Sequence, residues 1–227
     1  MQKLSKPAAV GFYILAAALL LVYFGAELVP NLSLSTLGRL VLLCTSCGFM
    51  WLGGFVLTKL TGDNRPMKIN LYIYLGLYLL LFATLTLFDP MWGRNGGAVT
   101  WTKELFESYI KTSLNLVPFR TIIKYLTDTT LRGFIVNIIG NVVCLMPLGI
   151  LLPLTFEKQR KTGRFIVACA LIVSAVEILQ FVTLAGSCDI DDLILNAGGA
   201  FLIYLFTKND EALGFLRHIF LLEKGEN

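Results

Sequence analysis

Charge is what this sequence has least of. Only 15% of its 227 residues are charged, against about a quarter in an ordinary soluble domain. Histidine occurs once, as His218 near the C-terminus, with no cluster of ligands around it. No zinc-type ligand spacing, no glycine-rich phosphate loop and no nucleophile with a matching base can be read along the chain. Five cysteines are too scattered for a disulfide framework. Cys44 and Cys47 spell CxxC but lie within an apolar run, where a redox pair would have no water. No basic patch with interleaved aromatics appears, so nucleic acid is not an expected partner. These absences leave no reaction that can be named from motifs alone.

What the chain has instead is apolar surface. Hydrophobic residues make up 56% of it, with 20 glycines besides. That excludes a disordered chain, a disulfide miniprotein and an ordinary soluble enzyme, and it predicts an integral membrane protein. Crossing a bilayer takes about 20 apolar residues as helix. Six stretches qualify: 7–26, 40–58, 69–88, 133–156, 165–188 and a shorter one from 193 to 207 that begins near Asp189. The first ends in Val22, Tyr23 and Phe24 rather than in a cleavage site, so it is expected to stay as a helix. The expected fold class is therefore an all-α, polytopic helical bundle of about six transmembrane helices, plus an outer amphipathic interfacial helix. Lys and Arg counts set the orientation: twelve fall in the inner segments and seven in the outer ones if both termini are inside.

The expected organisation is a three-helix membrane region over 1–92, an outer amphipathic loop over 93–132, a three-helix core over 133–207 and a cytoplasmic tail over 208–227. Within the loop, Gly93, Asn95, Gly96 and Gly97 read as a turn. Trp101, Leu105, Tyr109 and Ser113 or Leu114 recur at helical spacing beside Phe106, Ile110 and Val117, with Lys103, Glu104, Glu107 and Lys111 largely opposite. That predicts an interfacial helix ended by Pro118, acting as a structural cap or as a lipid-facing gate. Ile122, Ile123 and Leu126 predict a second, short helix.

Polar residues inside lipid are costly and concentrate in the last three spans. Asn137 and Asn141 share a face of the fourth. Ser174, Glu177 and Gln180 step along the fifth. Asp192, Asn196 and Gly199 mark the sixth, after Asp189 and Asp191. Rise per residue puts Asn141 and Gln180 at one depth and Asn137 and Asn196 at a higher one, with Glu177 at about 18 Å from Asp189. The expectation is a polar shaft opening outward and ending near Glu177. The amides could instead only bridge helices. Asp189 could be a helix N-cap with Asp191 and Asp192 in the first turn. Glu177, Asp189 and Asp192 are the candidate catalytic groups, Glu177 as a buried acid or base. Arg120, Asn137, Asn141, Gln180 and Asn196 are the candidate ligand contacts, with Arg120 suited to a phosphate or carboxylate. Asp189, Asp191 and Asp192 are the candidates for a divalent cation or an amine.

Four blocks of residues resemble the VanZ-like family. They are Asn115-Leu-Val-Pro-Phe-Arg-Thr121; Asn137 and Asn141 followed by Met146-Pro-Leu-Gly149 and Leu152-Pro153; Ser174-Ala-Val-Glu-Ile-Leu-Gln180; and Asp189-Ile-Asp-Asp192 with Asn196, Gly198 and Gly199. The likeness covers residues 114–206. Many members carry an arginine shortly before the first aspartate of the last block, where this chain has Ala185-Gly-Ser-Cys188. If that arginine binds an anion, Arg120 must act alone or the ligand differs. The resemblance implies a bacterial plasma-membrane protein that binds or modifies a lipid-linked envelope component at the outer leaflet and affects sensitivity to teicoplanin. A non-catalytic scaffold and a small transporter are the alternatives, and the residues do not decide whether the protein is an enzyme.

Overall fold

A computed structural model describes residues 5–28, 34–88, 102–183 and 186–222. The expected turn at Gly93, Asn95, Gly96 and Gly97, and Trp101, lie outside them. Six helical segments are long and apolar enough to cross a membrane. They are α1 (Lys6–Leu28), α2 (Thr36–Thr61), α3 (Arg65–Phe88), the segment Leu131–Thr155, α9 (Thr162–Val182) and α10 (Ile190–Lys208). The protein is an all-α multi-pass membrane bundle. Between the third and fourth spans lie the amphipathic helix α4 (Lys103–Ser113), the two-residue strand β1 (Leu114–Asn115) and the short helix α5 (Arg120–Thr127). A further short helix, α11 (Asp210–Ile219), follows α10.

The chain divides into two compact units, one of residues 1–77 and 210–227, the other of residues 78–209. In the first, α1 packs along α2. Gly53 makes the close approach possible, since a Cβ there would lie 2.8 Å from the Tyr13 ring. Buried side chains bridge the helices. Tyr13 donates to Asn70 Oδ1 (3.2 Å), Asn70 Nδ2 donates to the Met50 carbonyl (2.7 Å), and Ser46 donates to the Ala16 carbonyl (3.0 Å). Trp51 Nε1 and Asn64 Nδ2 donate to the carbonyls of Ile219 and Leu222 and so tie down α11.

The second unit contains the residues singled out above. Its first span is a broken helix. α6 (Leu131–Phe134) leads into a π-turn (Ile135–Ile139), then α7 (Gly140–Cys144), a turn at 145–147 and α8 (Leu148–Thr155). The π-turn disturbs the backbone ladder, and the Asn137 amide donates to the Gly133 carbonyl at 2.9 Å. At the turn the Leu148 amide bonds the Leu145 carbonyl rather than that of Cys144. The Tyr78 hydroxyl takes up the Cys144 carbonyl. α10 then packs against α7 and α8 through small residues. A Cβ on Gly199 would run into the Val142 carbonyl, and one on Gly149 would lie 2.6 Å from the Ala200 carbonyl.

Two expected boundaries differ. α4 ends at Ser113 instead of continuing to Pro118, because Leu114 and Asn115 leave the helix to pair in parallel with Cys188 and Asp189 of β2 (Cys188–Asp189). The fifth span ends at Val182 rather than Cys188, and the chain turns back so that Asp189 lies beside Glu177. Glu177 is therefore five residues from the end of α9, about 8 Å along its axis. The larger expected depth assumed a helix that runs on to Cys188.

Candidate functional site

The site is organised around the first turn of α10. Asp189 is its N-cap, and Asp189 Oδ1 accepts the Asp191 amide at 2.9 Å. The rest of the Asp189 carboxylate is held from β1 and α5. Asn115 Nδ2 donates to Oδ1 (2.8 Å) and Thr121 Oγ1 to Oδ2 (2.6 Å), while Asn115 Nδ2 also reaches Thr121 Oγ1 (3.0 Å). The Asp189 backbone amide donates to Glu177 Oε2 at 2.9 Å. A buried carboxylate on α9 thus pins the backbone that starts α10.

Asp191 explains the Val-Pro-Phe-Arg-Thr element. Its side chain is fully buried and accepts three backbone amides: Phe119 (2.5 Å), Thr121 (2.7 Å) and Ile122 (3.1 Å). Those amides belong to the free N-terminal turn of α5, which favours an anion. Phe119 sits in the left-handed region at φ 66°, a conformation uncommon for a bulky residue. Its amide bond to Asp191 helps hold it there. The turn is wound around a carboxylate that arrives from another helix.

Asp192 points elsewhere. Its Oδ1 accepts the Asn141 amide, and its backbone carbonyl accepts Asn196 Nδ2 at 2.8 Å. Gln180 Nε2 donates to the Thr86 carbonyl at 2.8 Å, one of the carbonyls left open at the end of α3. Asn196 Oδ1 and Gln180 Oε1 are buried without a hydrogen-bond partner.

Above Asp189 opens a cleft of about 270 Å³. Lys111 of α4 and Arg120, Lys124 and Tyr125 of α5 line it, with Ser187 and Asp189 from the chain that leads into α10. Arg120 and Lys124 are one turn apart on α5 and share a face. Among the described residues no carboxylate pairs with Lys111, Arg120 or Lys124 within 4 Å. The cleft therefore offers three uncommitted cations over one carboxylate that already accepts three hydrogen bonds. Cys188, beside it, has its thiol pKa raised by burial first and then by the charges of Glu177, Asp189 and Asp192.

Of the residues singled out from sequence, Arg120 and Asp189 line this cleft. Glu177, Asp191, Asp192, Asn141 and Asn196 form the framework that carries it, and none of these five lines it. Asn137 bonds within its own helix and Gln180 caps α3, so the donor groups of these two amides are engaged away from this cleft. Asn141 meets Asp192 in the first turn of α10. The three aspartates diverge toward different partners. Among the described residues no group of three or more His, Cys, Asp or Glu side chains is arranged to hold a metal ion.

Four contributors were not singled out: Lys111, Lys124, Asn115 and Thr121. The i, i+4 spacing of Arg120 and Lys124 is visible in the sequence. Lys111 comes from a helix whose placement the sequence does not give. Two lysines, Lys111 and Lys124, share the cleft with Arg120.

Comparison with known proteins agrees with the four motif blocks. The VanZ/LLP1 family model matches residues 71–214, well over half of the chain. The chain is 35% identical over 96 residues to Protein VanZ of Enterococcus faecium. That match covers 42% of this chain, and the chain spans about half (52%) of that relative's length. No solved structure matches. The extent of the family match, in agreement with the motif order, leads to one assignment: this chain belongs to the VanZ/LLP1 family of membrane proteins.

Proposed function

We propose that this protein binds the anionic part of a lipid-linked cell-envelope component at the outer leaflet of a bacterial plasma membrane, and that this binding alters glycopeptide sensitivity. The observation that carries the reading is the cleft lined by Arg120, Lys111 and Lys124, which among the described residues have no carboxylate within 4 Å. Charge-assisted hydrogen bonds from arginine and lysine are the usual means of holding a phosphate or carboxylate. Orientation with both termini inside turns the cleft outward, in keeping with the Lys and Arg counts. The resemblance to the VanZ-like family adds the expectation of an effect on teicoplanin.

Arg120 is the principal ligand contact in this reading, and Asp189 orients the ligand from the floor. Glu177, Asp191, Asp192 and Asn141 hold the frame through hydrogen bonds within the protein, and Asn196 joins it through its Nδ2 bond to the Asp192 carbonyl. That engagement also favours binding over catalysis at Glu177 and Asp192. The test is Arg120→Gln in a host where the wild type changes teicoplanin susceptibility, with membrane abundance measured in parallel. Susceptibility at the level of the empty vector, at normal abundance, is the expected result. Full protection at normal abundance would sink the proposal. A scaffold without a ligand site predicts a different outcome, in which protection follows abundance across every polar substitution. Proton-dependent flux in proteoliposomes would point to a transporter.

A further inference from the structure

The function proposed above leaves open which anion the cleft takes, and two features of the cleft narrow the choice. The first is charge. Three cations against one carboxylate leave a surplus of two positive charges. A phosphodiester carries a single charge and undermatches it, whereas a phosphomonoester carries about −1.5 to −2 at neutral pH and a lipid-linked diphosphate is at least doubly charged. The cations are also spread out. Arg120 and Lys124 are a helical turn apart, about 6 Å along α5, and Lys111 approaches from α4. A single small carboxylate would not reach all three.

The second feature is the apolar stripe beside the cations. Ile123 and Leu126 share a face of α5 beside that of Arg120 and Lys124, and Phe119 stands at the N-cap of the same helix. Phe119, Ile123 and Leu126 are 56%, 56% and 62% exposed. Leu116 and Val117, in the turn before α5, are exposed as well. A short helix that carries two lining cations on one stripe and bare apolar side chains beside them is matched to an amphiphile.

We infer that the cleft of Lys111, Arg120 and Lys124 is a site for a doubly charged phosphate group on an apolar tail, the phosphate among the cations and the tail along Phe119, Ile123 and Leu126. This rests on the anion-binding reading above and adds the charge state and the tail. Lys111 and Lys124 become the residues that set specificity, because Arg120 alone would serve a singly charged headgroup equally well.

The test titrates the full chain, purified in a mild detergent, with three probes and follows bound species by native mass spectrometry. Farnesyl diphosphate has both features, inorganic pyrophosphate lacks the tail, and dioleoyl phosphatidylglycerol has tails but a single charge. Farnesyl diphosphate is expected to bind at least about tenfold tighter than either of the others, about 1.4 kcal/mol. Arg120→Gln, Lys111→Gln and Lys124→Gln are each expected to weaken it by about tenfold. Ile123→Ser should weaken farnesyl diphosphate and leave inorganic pyrophosphate unchanged. Thermal unfolding midpoints within a degree or so of wild type would show that these exposed positions leave the fold intact. Equal affinity for phosphatidylglycerol, still dependent on Arg120, would overturn the charge assignment and leave the anionic-lipid reading standing. Equal affinity for inorganic pyrophosphate with no effect of Ile123→Ser would overturn the tail. No Arg120-dependent binding of any probe would overturn the anion-binding reading itself.

Discussion

The two compact units use buried polar groups in opposite ways. In the unit of residues 1–77 and 210–227, the side chains of Ser46, Trp51, Asn64, Asn70 and Tyr74 are neutral donors to backbone carbonyls: Ala16, Ile219, Leu222, Met50 and Cys47 respectively. In the unit of residues 78–209 the direction reverses around Glu177, Asp189, Asp191 and Asp192. Backbone amides and side-chain amides donate there to carboxylates. Neutral donors on carbonyls hold helices together at little electrostatic cost. Carboxylates on amides fix loops and helix starts, and their charge also shapes the field of the cleft above them. The first unit is built for packing and the second for presenting a charged surface.

The largest break in that comparison should come from Asp191. Each buried amide left without an acceptor costs about 1–3 kcal/mol, so Asp191→Ala should lose more than ~3 kcal/mol. Thermal unfolding in detergent should show this as a steep fall in midpoint and in membrane abundance. Asn70→Ala, its counterpart in the first unit, should lose about 1 kcal/mol. Equal losses would show that the carboxylate is not the stronger tie.

Glycines sharpen the comparison at a smaller scale. Gly199→Ala drives a Cβ into the Val142 backbone, which cannot step aside, and should cost about 1–3 kcal/mol. Gly54→Ala in the first unit meets the Asn70 amide at 2.5 Å and the Met67 sulfur at 2.6 Å. Those are side-chain atoms that can shift, so the cost should be smaller, under about 1 kcal/mol. Gly198→Ala meets nothing within 4 Å and should gain about 0.4–1 kcal/mol from a stiffer unfolded chain. Midpoints in one detergent would rank the three.

The smallest effect concerns Cys188. Its pKa is raised, so at pH 8 less of it is thiolate than for a free cysteine, and maleimide labelling should be slow and climb with pH. Asp192→Asn removes one of the negative charges responsible and should speed labelling at a given pH by a small factor. No change in rate would mean that burial and the charges of Glu177 and Asp189 set the thiol's reactivity without Asp192. An impermeant maleimide, added to intact cells with Cys188 as the sole cysteine, also reports which side of the membrane it faces.

Much of the fold was legible because a bilayer imposes a length and an apolar composition on each span, and both are written along the chain. The amphipathic α4 and the short α5 followed from their periodicity. The cap at Asp189 followed from three acidic residues before an apolar run. The site was legible only in part. Arg120 and Asp189 could be picked out, but Glu177 was assigned too great a depth, since no sequence pattern announced that the chain turns back after Val182. Gln180 and Asn137 look like members of the same constellation by spacing. Their partners are carbonyls left open at the end of α3 and beside a π-turn, and such local defects are invisible in composition.

By itself the sequence determined that this is a membrane bundle and which six stretches are long and apolar enough to span, because length and apolar composition are properties of residues close in the chain. Tertiary structure alone decided the partners. Asp191 serves the turn at 119–122, Asp189 serves Asn115 and Thr121, and Lys111 joins Arg120 and Lys124, because those contacts join segments about 70 residues apart or separate helices. The physical reason is that hydrogen bonds and charge convergence depend on where helix ends come to rest, which is fixed by packing such as Gly199 against Val142 and not by the local pattern of either helix.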